Sequence, residues 1–275
     1  MTEQTLDQKA EPPIHTVTSS DGTMIAYDRV GQGPPVVIVS GGLNQRVMFE
    51  TLVDLLTDRF TVLNYDRRDR GDSARIDPEK YSLELEIDDL AAVIAESSEL
   101  PYVIANCTGS IIALFAAARG VPMAKLVIYE PPYGETEEGR PIITPDYLAR
   151  LKALLAAERY DDAVLLFLKE AVGHSDDYVR RFRSHPAWPM FNGLARTIPY
   201  DHEVLGDGPV PTDIMNKVPV PTLVMQGGLS PQWQRNACAV VADSIPDGRL
   251  VTIEGASHVM PLDDVADPII QFFTT

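Results

Sequence analysis

The sequence predicts an α/β fold, a doubly wound and mostly parallel sheet with a helical insertion. Three observations predict it. Short uncharged β-branched runs recur along the chain, such as Val36-Val37-Ile38-Val39 and Thr222-Leu223-Val224-Met225, and they suit strands buried on both faces of a parallel sheet. Helical periods lie between several of these runs. One long interval, from Gly134 to about Lys217, holds no such run and breaks the alternation.

The elements follow in order. Residues 1–14 are polar, lack the apolar centre of a signal peptide, and read as a flexible tail. Thr16-Val17-Thr18 and Met24-Ile25-Ala26-Tyr27 flank Asp21-Gly22, a hairpin signal. Buried strands are expected at Val36–Val39, Phe60–Leu63, Tyr102–Ile104, Leu126–Tyr129, Thr222–Met225 and Leu250–Ile253. Between them, Leu83 to Ala95 reads as a helix, with Leu83, Ile87, Leu90, Ala91 and Ile94 on one face. Within the interval, Tyr147–Ala156 and Asp161–Val172 read as amphipathic helices, followed by a stretch through His185, Trp188, Phe191 and His202. The division is therefore a core of 15–133 and 218–275 with a lid of 134–217. Such a lid would roof a pocket and exclude water from it, with Trp188 and His185 offered to a substrate.

Composition narrows the function. The chain has 275 residues and a formal net charge of −17, which opposes nucleic acid or an anionic membrane surface as partner. No apolar run is long enough to span a bilayer. Two cysteines, Cys107 and Cys238, make no disulfide framework and suit a reducing cytoplasm. No dinucleotide fingerprint, phosphate loop or metal-ligand spacing is present, so neither cofactor nor metal is expected. The expected partner is a small-molecule substrate, and a homodimer stays open.

The segment Val103-Ile104-Ala105-Asn106-Cys107-Thr108-Gly109-Ser110 runs from an apolar strand, through a tight turn, into a small-residue helix. That is the layout of a nucleophile elbow, in which a strained turn lifts one side chain above the sheet. The usual Gly-x-Ser-x-Gly is here Ala105-x-Cys107-x-Gly109. Ala105 is small enough for the turn, and Gly109 permits close approach of helix and strand. His258 follows a strand and a Gly-Ala-Ser turn, an unusual place for a core histidine. Within reach of Cys107 it would take the thiol proton and return it to a leaving group. Cys238 lies in a helical run and reads as inert packing.

From about His15 to the end, the chain resembles the α/β-hydrolase family. The resemblance rests on Ser40-Gly41-Gly42 after the third strand, Asp66 to Ser73 after the fourth, the elbow, and Gly255-Ala256-Ser257-His258 after the last strand. Tyr129-Glu130-Pro131-Pro132 and Gly227-Gly228-Leu229-Ser230-Pro231 are similar to segments of small hydrolases of that family. The chain departs from it at Cys107, where the family has serine, at Asp69, where a glycine is usual, and at Ser230, where the triad aspartate sits.

The resemblance implies an oxyanion hole made by the backbone N–H groups of Gly42 and Thr108, with Gly41 beside the substrate. It also sets the helix N-terminus behind Cys107, which favours a thiolate. Ser230-Pro231 reads as a helix N-cap followed by proline at the first helical position. Some members of this fold draw their acid from the sixth strand, which makes Glu130 the candidate third member. The equal alternative is that Glu130 binds backbone in the Pro131-Pro132 turn.

Three functions are compatible with these residues. The leading one is hydrolysis of a small acyl ester, thioester or lactone by a Cys107–His258 pair; dienelactone hydrolases use a cysteine at this apex. The second is a lyase or cyclase of secondary metabolism, for example one eliminating acetate from an acetylated tetronate. The third is a ligand-binding protein without catalysis.

Overall fold

Among the described residues eight strands form one sheet: β1 (Ile14–Thr18), β2 (Met24–Gly31), β3 (Pro35–Val39), β4 (Thr61–Tyr65), β5 (Tyr102–Asn106), β6 (Lys125–Tyr129), β7 (Thr222–Gly227) and β8 (Gly248–Ile253). These come from a computed structural model of the protein, which describes residues 12–134, 143–206 and 208–275. Most of the tail expected at 1–14 thus lies outside the described residues, as do 135–142 and 207 of the insertion. The spatial order is β1-β2-β4-β3-β5-β6-β7-β8. The β1–β2 hairpin is antiparallel, with Thr18 opposite Met24, and β2 joins β4 antiparallel; every later pairing is parallel.

The fully apolar runs take the interior. All five residues of β3 and all six of β7 are buried. The run at Leu250–Ile253, read as buried on both faces, instead belongs to the edge strand β8, where Leu250 is 40% exposed. Among the described residues nothing pairs beyond β8, so its residues are not buried as those of β7 are.

Helices cover both faces. On one side lie α2 (Leu83–Ala95), α3 (Thr108–Ala118) and α10 (Gln232–Ser244), packing Leu90, Val93, Ile111, Leu114, Cys238 and Val241 against the sheet. On the other lie α1 (Glu50–Leu56) and α11 (Leu262–Thr274), whose Leu52, Leu56, Ile269 and Phe273 pack on Val36, Ile38 and Tyr129. Cys238 is fully buried, and burial pushes its thiol well above the ordinary range, as inert packing requires.

Between β6 and β7 come α4 (Tyr147–Ala156), α5 (Tyr160–Leu166), α6 (Asp176–Arg183), α7 (Trp188–Gly193), α8 (Ile198–Leu205) and α9 (Thr212–Met215). They share a core of their own that includes Tyr147, Leu151, Val164, Trp188 and Ile198. The helix expected over Asp161–Val172 ends at Leu166 and continues as a π-helical turn over Phe167–Ala171. Helices α8 and α9 pack on α3, which ties the insertion to the helix behind the elbow.

The strand order reverses between β3 and β5, since β4 lies on one side of β3 and β5 on the other. In an open α/β sheet the crevice forms at the carboxyl ends of such strands. The loops leaving those ends carry Gly41-Gly42 and Cys107.

Candidate active site

Cys107 stands between β5 and α3 with φ 48 and ψ −128. Its N–H donates to the Tyr129 carbonyl at 2.9 Å, which ties the turn to the neighbouring strand. A non-glycine residue held there stores about 1–3 kcal/mol of strain. The small neighbours are obligatory. A Cβ on Gly109 would lie 2.4 Å from the Val39 carbonyl oxygen, and one on Gly41 would lie 2.7 Å from Cβ of Cys107. Gly41 is thus packed directly against the elbow. Its own N–H donates to Asn106 Oδ1 at 2.9 Å.

His258 follows β8, and Cys107 and Glu130 are the two groups that raise its pKa. Its Nδ1 lies 2.9 Å from Glu130 Oε2. The other carboxylate oxygen, Oε1, accepts from the Gly227 N–H at 2.7 Å. Glu130 therefore does bind backbone, but that of β7 and not the Pro131-Pro132 turn. It is fully buried and sits at φ 45, a second strained position one strand from the elbow.

Burial lowers the pKa of His258, but the hydrogen bonds and negative charges of Cys107 and Glu130 outweigh it and raise the imidazole to about 10. Both partners therefore favour the charged ring over the neutral one.

Ser230 is buried, and its Oγ has no hydrogen-bond partner. Pro231 is itself the N-cap of α10, so the expectation that Ser230 caps this helix fails. The carboxylate facing His258 comes from β6 instead of the loop after β7. Sequence reasoning also missed Gln234, whose carboxamide lies 2.6 Å from Nδ1 of His258. Gln234 occupies the first turn of α10 and is buried, and a lone glutamine in a helix carries no sequence signal.

Around the Ser40-Gly41-Gly42 loop lies a buried charged set that the sequence does not announce. Arg67 pairs with Glu86 at 2.7 Å and with Asp201 at 3.0 Å, and Arg70 pairs with Asp201 at 2.9 Å. The Arg67 guanidinium also donates to the Ser40 carbonyl at 3.4 Å and to Thr108 Oγ1 at 3.3 Å. Thr108 Oγ1 donates to Asp201 Oδ1 at 2.7 Å, and a Cβ on Gly42 would meet Asp201 Oδ2 at 3.0 Å. Asp201, on α8 of the insertion, thus bonds Thr108 and crowds any Cβ at Gly42, the two residues expected to supply oxyanion donors. The N–H of Thr108 opens α3, where backbone N–H groups have no intrahelical acceptor.

Asp69, at the family's glycine position, has φ 62. It accepts from the Tyr200 hydroxyl at 2.9 Å and pairs with Arg196 and Arg75, each at 3.3 Å. The departure from glycine therefore fastens the insertion to the core.

The two side chains expected to meet substrate are used inside the insertion. Trp188 is 8% exposed and spends its indole N–H on Asp161 at 2.9 Å. His185 is exposed, with Nδ1 accepting from the Ala187 N–H at 3.2 Å. Among the described residues no contact joins either to Cys107 or His258. Their aromatic and imidazole groups suggested a binding role, but the packing of α7 turns Trp188 into the insertion's own core. His174 is nearer the site: burial, and then the charge of His258, hold its imidazole below the ordinary value. Among the described residues, no cluster of three or more His, Cys, Asp or Glu could hold a metal ion, and no helix is long and apolar enough to cross a membrane.

The parallel sheet, the elbow and the histidine after β8 define a class, and the chain belongs to it: the alpha/beta hydrolase family pattern matches residues 36–272. Among similar solved structures, an alpha/beta hydrolase from Sphaerobacter thermophilus is 44% identical with a TM-score of 0.89, over 94% of this chain and 100% of that one. An enol-lactonase from Burkholderia xenovorans shares the fold, with TM-score 0.72 and 19% identity over 96% of this chain and 100% of that one. A curated relative described as "Probable oxidoreductase EphD", from Mycobacterium tuberculosis, is 38% identical over 100 residues. That match spans 34% of this chain and 17% of the relative.

Proposed function

We propose that the protein is a cofactor-free hydrolase of a small acyl ester, thioester or lactone, with Cys107 as nucleophile. The observation that carries this reading is the 2.9 Å contact of Glu130 with His258, with Cys107 on the strained turn after β5 acting on the same imidazole. The likeness to an enol-lactonase and to esterases supports it at the level of fold.

In this reading His258 takes the proton of the Cys107 thiol, the sulfur attacks the acyl carbon, and the carbonyl electron pair moves onto an oxygen held by the N–H groups of Gly42 and Thr108. Collapse of that intermediate expels the alcohol or thiol, which takes the proton of His258. Neutral His258 then draws a proton from water, which cleaves the acyl-thioester, and the carboxylic acid departs. Glu130 orients the ring throughout and stabilises its charge. The insertion acts as a lid that limits water around the sulfur.

A second reading, a lyase or cyclase acting on an acylated intermediate such as an acetylated tetronate, draws on the raised pKa of His258. With the proton on the ring, the sulfur could remove a proton from carbon while His258 protonates the departing carboxylate. Incubation with p-nitrophenyl acetate separates the two. Turnover with an acyl adduct on Cys107 supports hydrolysis; intact ester and an unmodified thiol count against it.

A further inference from the structure

Arg70 is 1% exposed, and its guanidinium reaches in two directions. Nη1 donates to the Gly41 carbonyl at 2.5 Å, while Nη2 donates to both oxygens of Asp201 at 3.0 and 2.9 Å. The Gly41 carbonyl and the Gly42 N–H are the two ends of one planar trans peptide, so fixing the oxygen fixes the direction of the N–H. With glycine on both sides, that peptide has wide rotational freedom unless something holds it. A charged donor on the oxygen also polarises the amide and strengthens its N–H as a donor.

The geometry points to Arg70 as a positioning residue for the oxyanion hole, held in place from the insertion by Asp201. This rests on the acyl-transfer reading above. Arg67, Arg70, Glu86 and Asp201 form two cations and two anions, so the Asp201 carboxylate lies beside the hole with its charge cancelled. Desolvating four charges is expensive, and apolar packing would hold α8 at lower cost. What apolar packing would not do is aim the Gly42 N–H. Docking of α8 and readiness of the oxyanion hole are thereby one event.

The test compares two reactions of Cys107 in Arg70→Met and Arg70→Lys. Acylation by p-nitrophenyl acetate develops an oxyanion, whereas alkylation by iodoacetamide does not. Removing an oxyanion donor costs about 100-fold or more, so Arg70→Met should lower the acylation rate constant by roughly 100-fold while alkylation changes by less than about 2-fold. Arg70→Lys, keeping one donor for the Gly41 carbonyl, should recover part of the loss. The backbone amide resonance of Gly42 should move in Arg70→Met, since its peptide loses the guanidinium. Equal loss of both reactions, or an unmoved Gly42 amide, overturns the proposal. If the wild-type protein is not acylated, the hydrolase reading fails by itself, and the Gly42 resonance alone decides whether Arg70 sets this peptide.

Discussion

Glu130 Oε2 and His258 Nδ1 lie 2.9 Å apart, although 128 positions separate them in sequence. The contact joins the end of β6 to the loop after β8, and its second oxygen is held by the N–H of Gly227 on the strand between. Glu130→Gln keeps the shape and removes the charge. Turnover should fall by roughly 10²- to 10⁴-fold with the fold intact by circular dichroism. Unchanged turnover would assign His258 to a dyad with Cys107.

The raised pKa of His258 gives a pH signature. Its ring is pushed from 6.5 to about 10, so the proton is bound more tightly in the folded state. The resulting stabilisation is fully present below about pH 6.5 and is lost as pH rises toward 10. An NMR titration of the His258 ring should show a midpoint near 10 in wild type and a lower one in Glu130→Gln. A wild-type midpoint near the ordinary value would remove the imidazolium from the mechanism.

Cys107→Ser distinguishes the two proposed reactions. A serine keeps the geometry of the elbow and can still be acylated, so partial ester turnover is expected if the chemistry is hydrolysis. Elimination with the sulfur as base should vanish, because a free thiol ionises near pKa ~8.5 and a hydroxyl far above it. Product mass read alongside decides between them: a new alkene with no adduct would favour the lyase.

Ser230 offers a test of where the acid can sit. Its Oγ is buried and unpartnered, 2.9 Å from where a Cβ on Gly227 would lie. In a Glu130→Gln background, Ser230→Asp should restore about 10-fold or more of the lost turnover, since a carboxylate on this loop would face the same imidazole. No recovery would show that the site is committed to the acid on β6.

Tyr200 and Asp69 hold the insertion down. The phenol donates at 2.9 Å to a carboxylate with no solvent exposure, and its ring stacks on Tyr81 with centroids 4.1 Å apart. Tyr200→Phe keeps the stacking and removes one donor from a buried anion, at a cost of about 1.5–3 kcal/mol. Urea denaturation should read that loss, with faster proteolytic cutting in the insertion. Wild-type stability would leave Arg196 and Arg75 as sufficient partners for Asp69.

Much of the site was legible because it is local. An elbow needs small residues on both sides of its apex, and Ala105 and Gly109 satisfy that within five positions of sequence. His258 was legible from its own turn after a strand. Glu130 could be named as a candidate but not chosen, since either a histidine or a nearby backbone N–H would explain a glutamate there. Trp188 and His185 could be named but not placed, because residue type alone does not say which way a side chain points.

What the sequence by itself determined is the alternation of apolar runs and helical periods, and with it the sheet, the insertion point and the turn that bears Cys107. These follow from periodicity and from steric demands within a few residues. What only the tertiary structure decided is the choice of Glu130 over Ser230, and the joining of Arg67, Arg70 and Asp201 beneath the Gly41-Gly42 loop. Arg70 and Asp201 stand 131 positions apart. Charges read from sequence are most often solvated, and only packing that excludes water makes such a pair both costly to bury and capable of fixing a peptide.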